Sequence, residues 1–248
     1  WLFPGQGAQF VGMAQDLAVA YPEVRDTLQE ADDALGFSLR ALMAEGPMET
    51  LTLTANTQPA VLAHSVAVLR LLRAGGIEEP VAVVGHSLGE YSALVAAGAI
   101  DFADALRTVQ ARGRFMQEAV PAGVGAMAAI IGLPGDRVAA VCAQLSRPDA
   151  LVCAANFNDT KQTVIAGHSA AVEAALPVLK EAGARRALPL PVSAPFHCPL
   201  MAPVQPRLAE VLSGVRLSDP VLPVVANVDA AANRDGRRVS QLLIEQVT

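Results

Sequence analysis

The residues Gly85-His86-Ser87-Leu88-Gly89 fit the pattern G-x-S-x-G. The pentapeptide alone is common by chance, so its setting carries the argument. Pro80–Val84 before it is a short valine-rich run that reads as a buried parallel strand. Glu90–Gly98 after it reads as an alanine-rich helix, with Ala93 and Ala97 where close packing is needed. Strand, sharp turn and helix together make a nucleophile elbow, whose bent backbone demands small residues around the serine. The helix start turns free N–H groups toward the serine, where they can stabilise an oxyanion. The competing reading is a plain strand-to-helix turn in which Ser87 only caps the helix.

A serine nucleophile needs a base, and the chain has four histidines. His86 sits inside the elbow, where its side chain projects away from its neighbour's, and reads as structural. His64 lies in an apolar helix and reads as a satisfied core residue. His168 follows Gly167 at a strand end and reads as serving a turn or a helix start. His197 lies in the proline-bracketed loop Ser193-Ala194-Pro195-Phe196-His197-Cys198-Pro199. Loops of this kind position function, so elimination makes His197 the best base; the alternative is a surface loop histidine. A third group to orient it is not evident. Asp219, Asp229 and Asp235 follow it without a motif, which leaves a backbone carbonyl or an unrecognised catalytic acid.

The elements that must position these residues form a mixed pattern. Trp1-Leu2-Phe3 reads as the end of a buried strand and Pro4-Gly5-Gln6-Gly7 as the tight loop after it. Residues 12–73 read as largely helical, with Thr57 as N-cap, Pro59 in the first turn and Gly75-Gly76 as the stop. A further helix spans Phe102 to Ala119. From Gly123 the texture changes: strand 125–133, helix 136–145, strands 151–156 and 162–166 around an Asn158-Asp159-Thr160 hairpin turn, helix 169–182 and strand 185–192. That β-α-β-β-α-β order is the split pattern of a ferredoxin-like unit. The expected fold is therefore α/β. Residues 1–122 and 193–248 form a large parallel-sheet lobe, into which residues 123–192 are inserted as a small lobe.

Composition narrows the function. The chain has 248 residues, 52% of them hydrophobic, enough for one large core with a smaller lobe attached. Aromatics are only 4%, which suits helices and buried strands better than an aromatic-rich sandwich. Eighteen basic against 24 acidic residues give a net charge of −6, the wrong sign for a general nucleic-acid binder. The three cysteines, Cys142, Cys153 and Cys198, are widely spaced without a CxxC, which argues against a zinc site or disulfide framework and fits a reducing cytoplasm. Apolar runs are broken by Pro and Gly, so neither a membrane span nor a signal peptide is expected. The chain starts at Trp1 rather than Met, and both ends read as clipped.

Taken together, Phe3-Pro4-Gly5-Gln6-Gly7-Ala8-Gln9, the elbow with Glu90-Tyr91-Ser92, Arg112-Gly113 and Phe196-His197 resemble malonyl-CoA:acyl carrier protein transacylases. The same pattern marks the acyltransferase domains of polyketide and fatty acid synthases. Gly125-Ala126-Met127-Ala128-Ala129 and Asn156-Phe157-Asn158 are similar to the bacterial stand-alone enzymes, and the absence of long linkers favours that form. The resemblance runs over essentially the whole chain. It implies an α/β-hydrolase-like core with an inserted ferredoxin-like lobe, and a somewhat longer protein. In the family a backbone carbonyl from beyond the residues present here helps orient the histidine.

The resemblance also implies roles. Ser87 is the nucleophile and His197 its base; the backbone N–H groups of Gln6 and Leu88 form the oxyanion hole. Arg112 grips the free carboxylate of malonyl, since a planar guanidinium binds a carboxylate through two parallel hydrogen bonds. Phe196 before the histidine matches the malonyl-selective pattern rather than the methylmalonyl one. Asn156, Asn158 and Gln162 lie where the pantetheine arm passes, although Asn158 also suits a turn. Arg185 and Arg186, with Lys180, make a basic cluster suited to an acidic carrier protein or to coenzyme A phosphates, or else a solvated face. The implied substrates are malonyl-CoA, a coenzyme A thioester, and acyl carrier protein. No bound cofactor or metal is called for. The rivals are a serine esterase or thioesterase, which has no use for a carboxylate clamp, and a non-catalytic carrier-docking module.

Overall fold

The computed structural model describes residues 1–121, 123–192 and 194–248. Ala122 and Ser193, the residues at the anticipated lobe boundaries, lie outside the described residues. In chain order the strands are β1 (Leu2–Phe3), β2 (Val83–Gly85), β3 (Gly125–Ile131), β4 (Val152–Asp159), β5 (Gln162–His168), β6 (Arg186–Pro189), β7 (Val224–Val225) and β8 (Ala232–Asn233). The helices are α1 (Gln15–Ala20), α2 (Pro22–Leu35), α3 (Leu39–Glu45), α4 (Met48–Thr52), α5 (Thr54–Ala74), α6 (Gly89–Ala96), α7 (Phe102–Glu118), α8 (Gly135–Leu145), α9 (Ser169–Glu181), α10 (Val204–Ser213) and α11 (Gly236–Glu245). Two compact units emerge: Trp1–Phe115 with Arg207–Gln246, and Met116–Pro206 with Val247–Thr248.

The first unit holds a four-stranded sheet in the order β1-β2-β7-β8. β2 is parallel to both β1 and β7, and β8 runs antiparallel to β7. Local chemistry sets its helix ends. Pro22 opens α2 and Gly36, at φ 74°, closes it; the Ser38 side chain caps α3 and the Asp235 carboxylate caps α11. Helix α5 starts three residues before the anticipated Thr57 cap. Asn56 Nδ2 donates to Thr50 O and Thr57 Oγ1 donates to Leu51 O, so the start of α5 is pinned onto the end of α4 and Pro59 sits inside the helix. The helix stops at Gly75 as anticipated. Two strand readings also shift. Phe3 is buried but Leu2 is 74% exposed. β2 pairs only from Val83, after Pro80, which lacks the N–H a ladder needs.

The second unit contains β3-α8-β4-β5-α9-β6, the order anticipated, in a sheet ordered β4-β5-β3-β6 with every neighbouring pair antiparallel. Alternation decides its faces. Ala128, Ile130, Val152 and Ile165 point to the helices and pack with Val138 and Cys142 of α8 and Val172 and Leu179 of α9. The hairpin turn is tighter than the sequence suggests. Asp159 Oδ1 accepts from Thr160 Oγ1 and Lys161 N, which makes Thr160-Lys161 the turn and leaves Asn158 and Asp159 in β4.

Candidate active site

The elbow is strained where the sequence places it. Ser87 has φ 52°, in the left-handed region that non-glycine residues avoid. The sharpness of the bend leaves no space around it. A Cβ on Gly85 would lie 1.9 Å from the backbone of Gly89, and one on Gly89 would lie 2.4 Å from Phe3 O. A Cβ on Gly5 would lie 2.5 Å from His86 O and 2.9 Å from His86 Nδ1, so His86 braces the Pro4–Gly7 loop against the elbow. That packing sets Phe3, Pro4 and Gly5, the residues leading to Gln6, against the elbow. Among the described residues, neither the Gln6 nor the Leu88 backbone N–H donates to another residue. Gln6 itself is held by its side chain, Nε2 donating to Thr54 Oγ1 at 3.3 Å.

Arg112 is not a surface arginine. It is 1% exposed and reaches the elbow from α7. Gly113 makes this possible, because a Cβ there would lie 2.5 Å from Thr54 O; only glycine lets α7 approach the start of α5 so closely. The guanidinium then meets three neutral acceptors. Nη1 donates to Gln58 Oε1 at 2.9 Å, and Nη2 donates to Gln246 Oε1 at 2.9 Å and to Ser87 Oγ at 3.2 Å. The Tyr91 ring lies 5.7 Å away, and Nε is buried with no partner among the described residues. Burial lowers the pKa of Arg112, and the electrostatic influence of Tyr91 and Glu90 opposes that shift.

Three residues that sequence reasoning gave no role complete this network. Asn227 Oδ1 accepts from Ser87 N at 2.6 Å while its Nδ2 donates to Gly85 O at 2.7 Å, clamping both sides of the turn. Gln246 Nε2 donates to Ser87 O at 2.9 Å and to Glu90 Oε2 at 2.7 Å. Glu90, 2% exposed, also accepts from Asn227 N at 2.9 Å. Its pKa is raised, chiefly by burial and also by the Asp229 charge, and the hydrogen bonds from Asn227 and Gln246 and the charge of Arg112 offset only part of that rise. A signal for Gln246 was present: Val239, Leu242 and Leu243 are the buried stripe of α11, and Gln246 continues it at the seventh position. Asn227, a polar residue just past the end of β7, stands where open parallel sheets place ligand groups.

The three carboxylates considered as partners for a catalytic histidine serve local structure. Asp219 Oδ1 accepts from Gly236 N, Asp229 Oδ1 from Ala231 N and Asp235 Oδ1 from Arg237 N. His64 differs from its expected satisfied state: its Nδ1 is buried without a partner among the described residues, and burial lowers its pKa. His168 serves a turn as anticipated, Nδ1 accepting from Leu151 N at 2.9 Å just before α9.

In the second unit, His197 has φ 56°. Its loop lies on the sheet face turned away from α8 and α9. A Cβ on Gly125 would lie 2.3 Å from Pro195, and Cys198 Sγ donates to Pro195 O at 3.0 Å. Phe196 is buried. Asn156 pairs with Val164, and Gln162 lies two residues earlier on β5, so both share the face that carries the His197 loop. Asn156 is half-buried and Gln162 exposed. Lys180, Arg185 and Arg186 are exposed, and among the described residues none is in an ion pair. Among the described residues no cluster of His, Cys, Asp and Glu could hold a metal ion, and no helix is long and apolar enough to cross a membrane.

A serine on a strained elbow, with a buried cation at its oxygen, suits group transfer through a serine ester. The chain belongs to the acyl transferase domain family, whose model matches residues 1–243. Within that family it is 51% identical to the malonyl CoA-acyl carrier protein transacylase of Escherichia coli, over all of this chain and 80% of the relative. An acyl carrier protein S-malonyltransferase of Vibrio cholerae superposes with a TM-score of 0.96 at 50% identity, over 99% of this chain and 80% of that one. A type II PKS acyl-carrier protein in complex with its malonyl-transacylase gives 0.96 at 49% identity, over 99% and 79%.

Proposed function

We propose that this chain transfers the malonyl group of malonyl-CoA to the phosphopantetheine thiol of acyl carrier protein, through a malonyl-serine intermediate, for fatty acid synthesis. The observation that carries the reading is Arg112. A buried guanidinium touches the nucleophile's oxygen, and all of its hydrogen-bond partners are neutral. Its charge is left for the free carboxylate of malonyl, and an acetyl group would leave it unpaired. This also separates the reading from an esterase or thioesterase.

In the proposed cycle His197 takes the proton of Ser87, whose Oγ attacks the thioester carbonyl. The oxyanion is held by the N–H groups of Gln6 and Leu88, which are uncommitted among the described residues. The tetrahedral intermediate collapses and coenzyme A leaves as the thiol. The carrier's thiol then gives its proton to His197 and attacks the malonyl ester, and Ser87 is regenerated. The kinetics are ping-pong, and no bound cofactor takes part. Phe196 beside His197 narrows the acyl site toward malonyl. Asn156 and Gln162 meet the pantetheine arm, and the exposed Arg185 and Arg186 meet the acidic carrier or coenzyme A phosphates. The fold that fits this role is an α/β-hydrolase-like lobe, 1–122 with 193–248, carrying a ferredoxin-like lobe at 123–192. The location that suits the reduced cysteines and the substrates is the cytoplasm.

The test is intact-protein mass spectrometry after brief incubation with malonyl-CoA or acetyl-CoA. A malonyl adduct on the Ser87 peptide with little acetyl adduct is expected. Equal labelling by both would remove the malonyl assignment, and coenzyme A release without any adduct would favour hydrolysis.

A further inference from the structure

The Gln246 carboxamide has a direction. Its oxygen accepts from Arg112 Nη2, and its nitrogen donates to Glu90 Oε2 and Ser87 O. Reversed, it would set an NH2 group against the guanidinium, donor against donor, and an oxygen against two acceptors. A carboxylate has no proton to give, so Glu90 accepts in only one sense and enforces the direction. Glu90 is itself fixed by Asn227 N at 2.9 Å. Glu90 is thus the buried charge in the set of groups, with the Ser87 carbonyl, Asn227 Oδ1 and the donating guanidinium, that fixes which atom of Gln246 faces Arg112, and Arg112 Nη2 in turn lies 3.2 Å from Ser87 Oγ.

We propose that Glu90 is a positioning residue for acyl selection, acting through the Gln246 carboxamide to keep Arg112 aimed at the acyl group on Ser87. The inference rests on the reading of Arg112 as the malonyl clamp. Glu90 touches neither substrate nor reacting atoms in this role. What it governs is the preference for a carboxylate-bearing acyl group over a neutral one, not the strength of the nucleophile.

The test is a double-mutant cycle on the full chain with Glu90→Leu, Arg112→Ala and the pair. The readout is the ratio of kcat/KM for malonyl-CoA to that for acetyl-CoA, with acyl carrier protein as acceptor. Labelling of Ser87 by phenylmethylsulfonyl fluoride, a serine reagent without a carboxylate, and circular dichroism report whether the elbow is folded. We expect Glu90→Leu to lower the ratio about tenfold, mostly through the malonyl arm, and to change it less than twofold when Arg112 is already alanine. Glu90→Gln keeps an acceptor oxygen and should recover most of the ratio. Full additivity of the two substitutions, or equal losses for both substrates with impaired labelling of Ser87, would overturn the positioning role and leave Glu90 as elbow scaffolding. A Gln variant as poor as Leu would overturn it too. An unchanged ratio in Arg112→Ala would instead overturn the clamp reading, whereas a ratio lost in Arg112→Ala but intact in Glu90→Leu would overturn the positioning role alone.

Discussion

Gln58→Glu changes one atom and tests the electrostatics of the proposed acyl site. Gln58 Oε1 accepts from Arg112 Nη1 at 2.9 Å, and the other acceptors of Arg112 are also uncharged. A carboxylate at this position keeps the hydrogen bond and neutralises the guanidinium. A malonyl carboxylate on the opposite edge of the same fork would then lie roughly 6 Å from the introduced carboxylate. At an effective dielectric constant near 20, two such charges repel by about 3 kcal/mol, close to a hundredfold in binding. An acetyl group carries no charge and escapes this term. The assay is steady-state transfer to acyl carrier protein from each thioester at pH 8, where the introduced carboxyl group is ionised. The ratio of kcat/KM values should fall by about one to two powers of ten, with the malonyl arm taking the loss. Gln58→Met, which removes the acceptor but adds no charge, should cost much less. If Gln58→Glu kept the wild-type ratio, the view that neutral partners preserve the charge of Arg112 for substrate would be refuted.

Two further predictions concern stability. Gly113→Ala gains about 0.5–1 kcal/mol of helix propensity but sets a Cβ 2.5 Å from Thr54 O and 2.8 Å from Ala55 Cα, backbone atoms that cannot step aside. The net result should be a loss of about 1–2 kcal/mol and a lower Tm by calorimetry, with malonyl preference falling as α5 and α7 separate; a rise in Tm would contradict the close-approach argument. His64 has its pKa lowered by burial from the ordinary 6.5, so below that value the unfolded chain takes up the proton first and stability falls as the pH drops toward the folded pKa. Denaturant unfolding of the wild type and His64→Leu across pH 5 to 8 should therefore show the wild type losing more stability on the acid side, and parallel profiles would exclude burial of His64 as the cause.

Local chemistry was legible in the sequence. The glycine spacing at 85 and 89 announced the elbow, and the structure shows why: a side chain at either position would collide with backbone. The order of strands and helices from β3 to β6 followed from alternation and turn residues. Elimination left His197 as the candidate base; its backbone is left-handed, like that of Ser87, Ala14 and Ala230, which assigns it no role. Where local reading went astray, at the start of α5 and in the β4–β5 turn, side chains had taken backbone partners that a propensity rule does not count: Thr57 with Leu51 O and Asp159 with Lys161 N.

The network around Arg112, the proposed acyl site, was decided by tertiary structure. Helix position alone does not separate Arg112 from the exposed Arg107 and Arg114; in the sequence only the Arg112-Gly113 motif of the resemblance singled it out, and only packing buries it. Its acceptor Gln246 is 134 residues away, and Asn227, which clamps the elbow, is 140 residues from Ser87. Periodicity and turn chemistry act over a few residues and leave their mark in the local pattern. A hydrogen bond between groups so far apart exists only after the sheet and helices have packed, because packing alone removes the water that would otherwise satisfy each group separately.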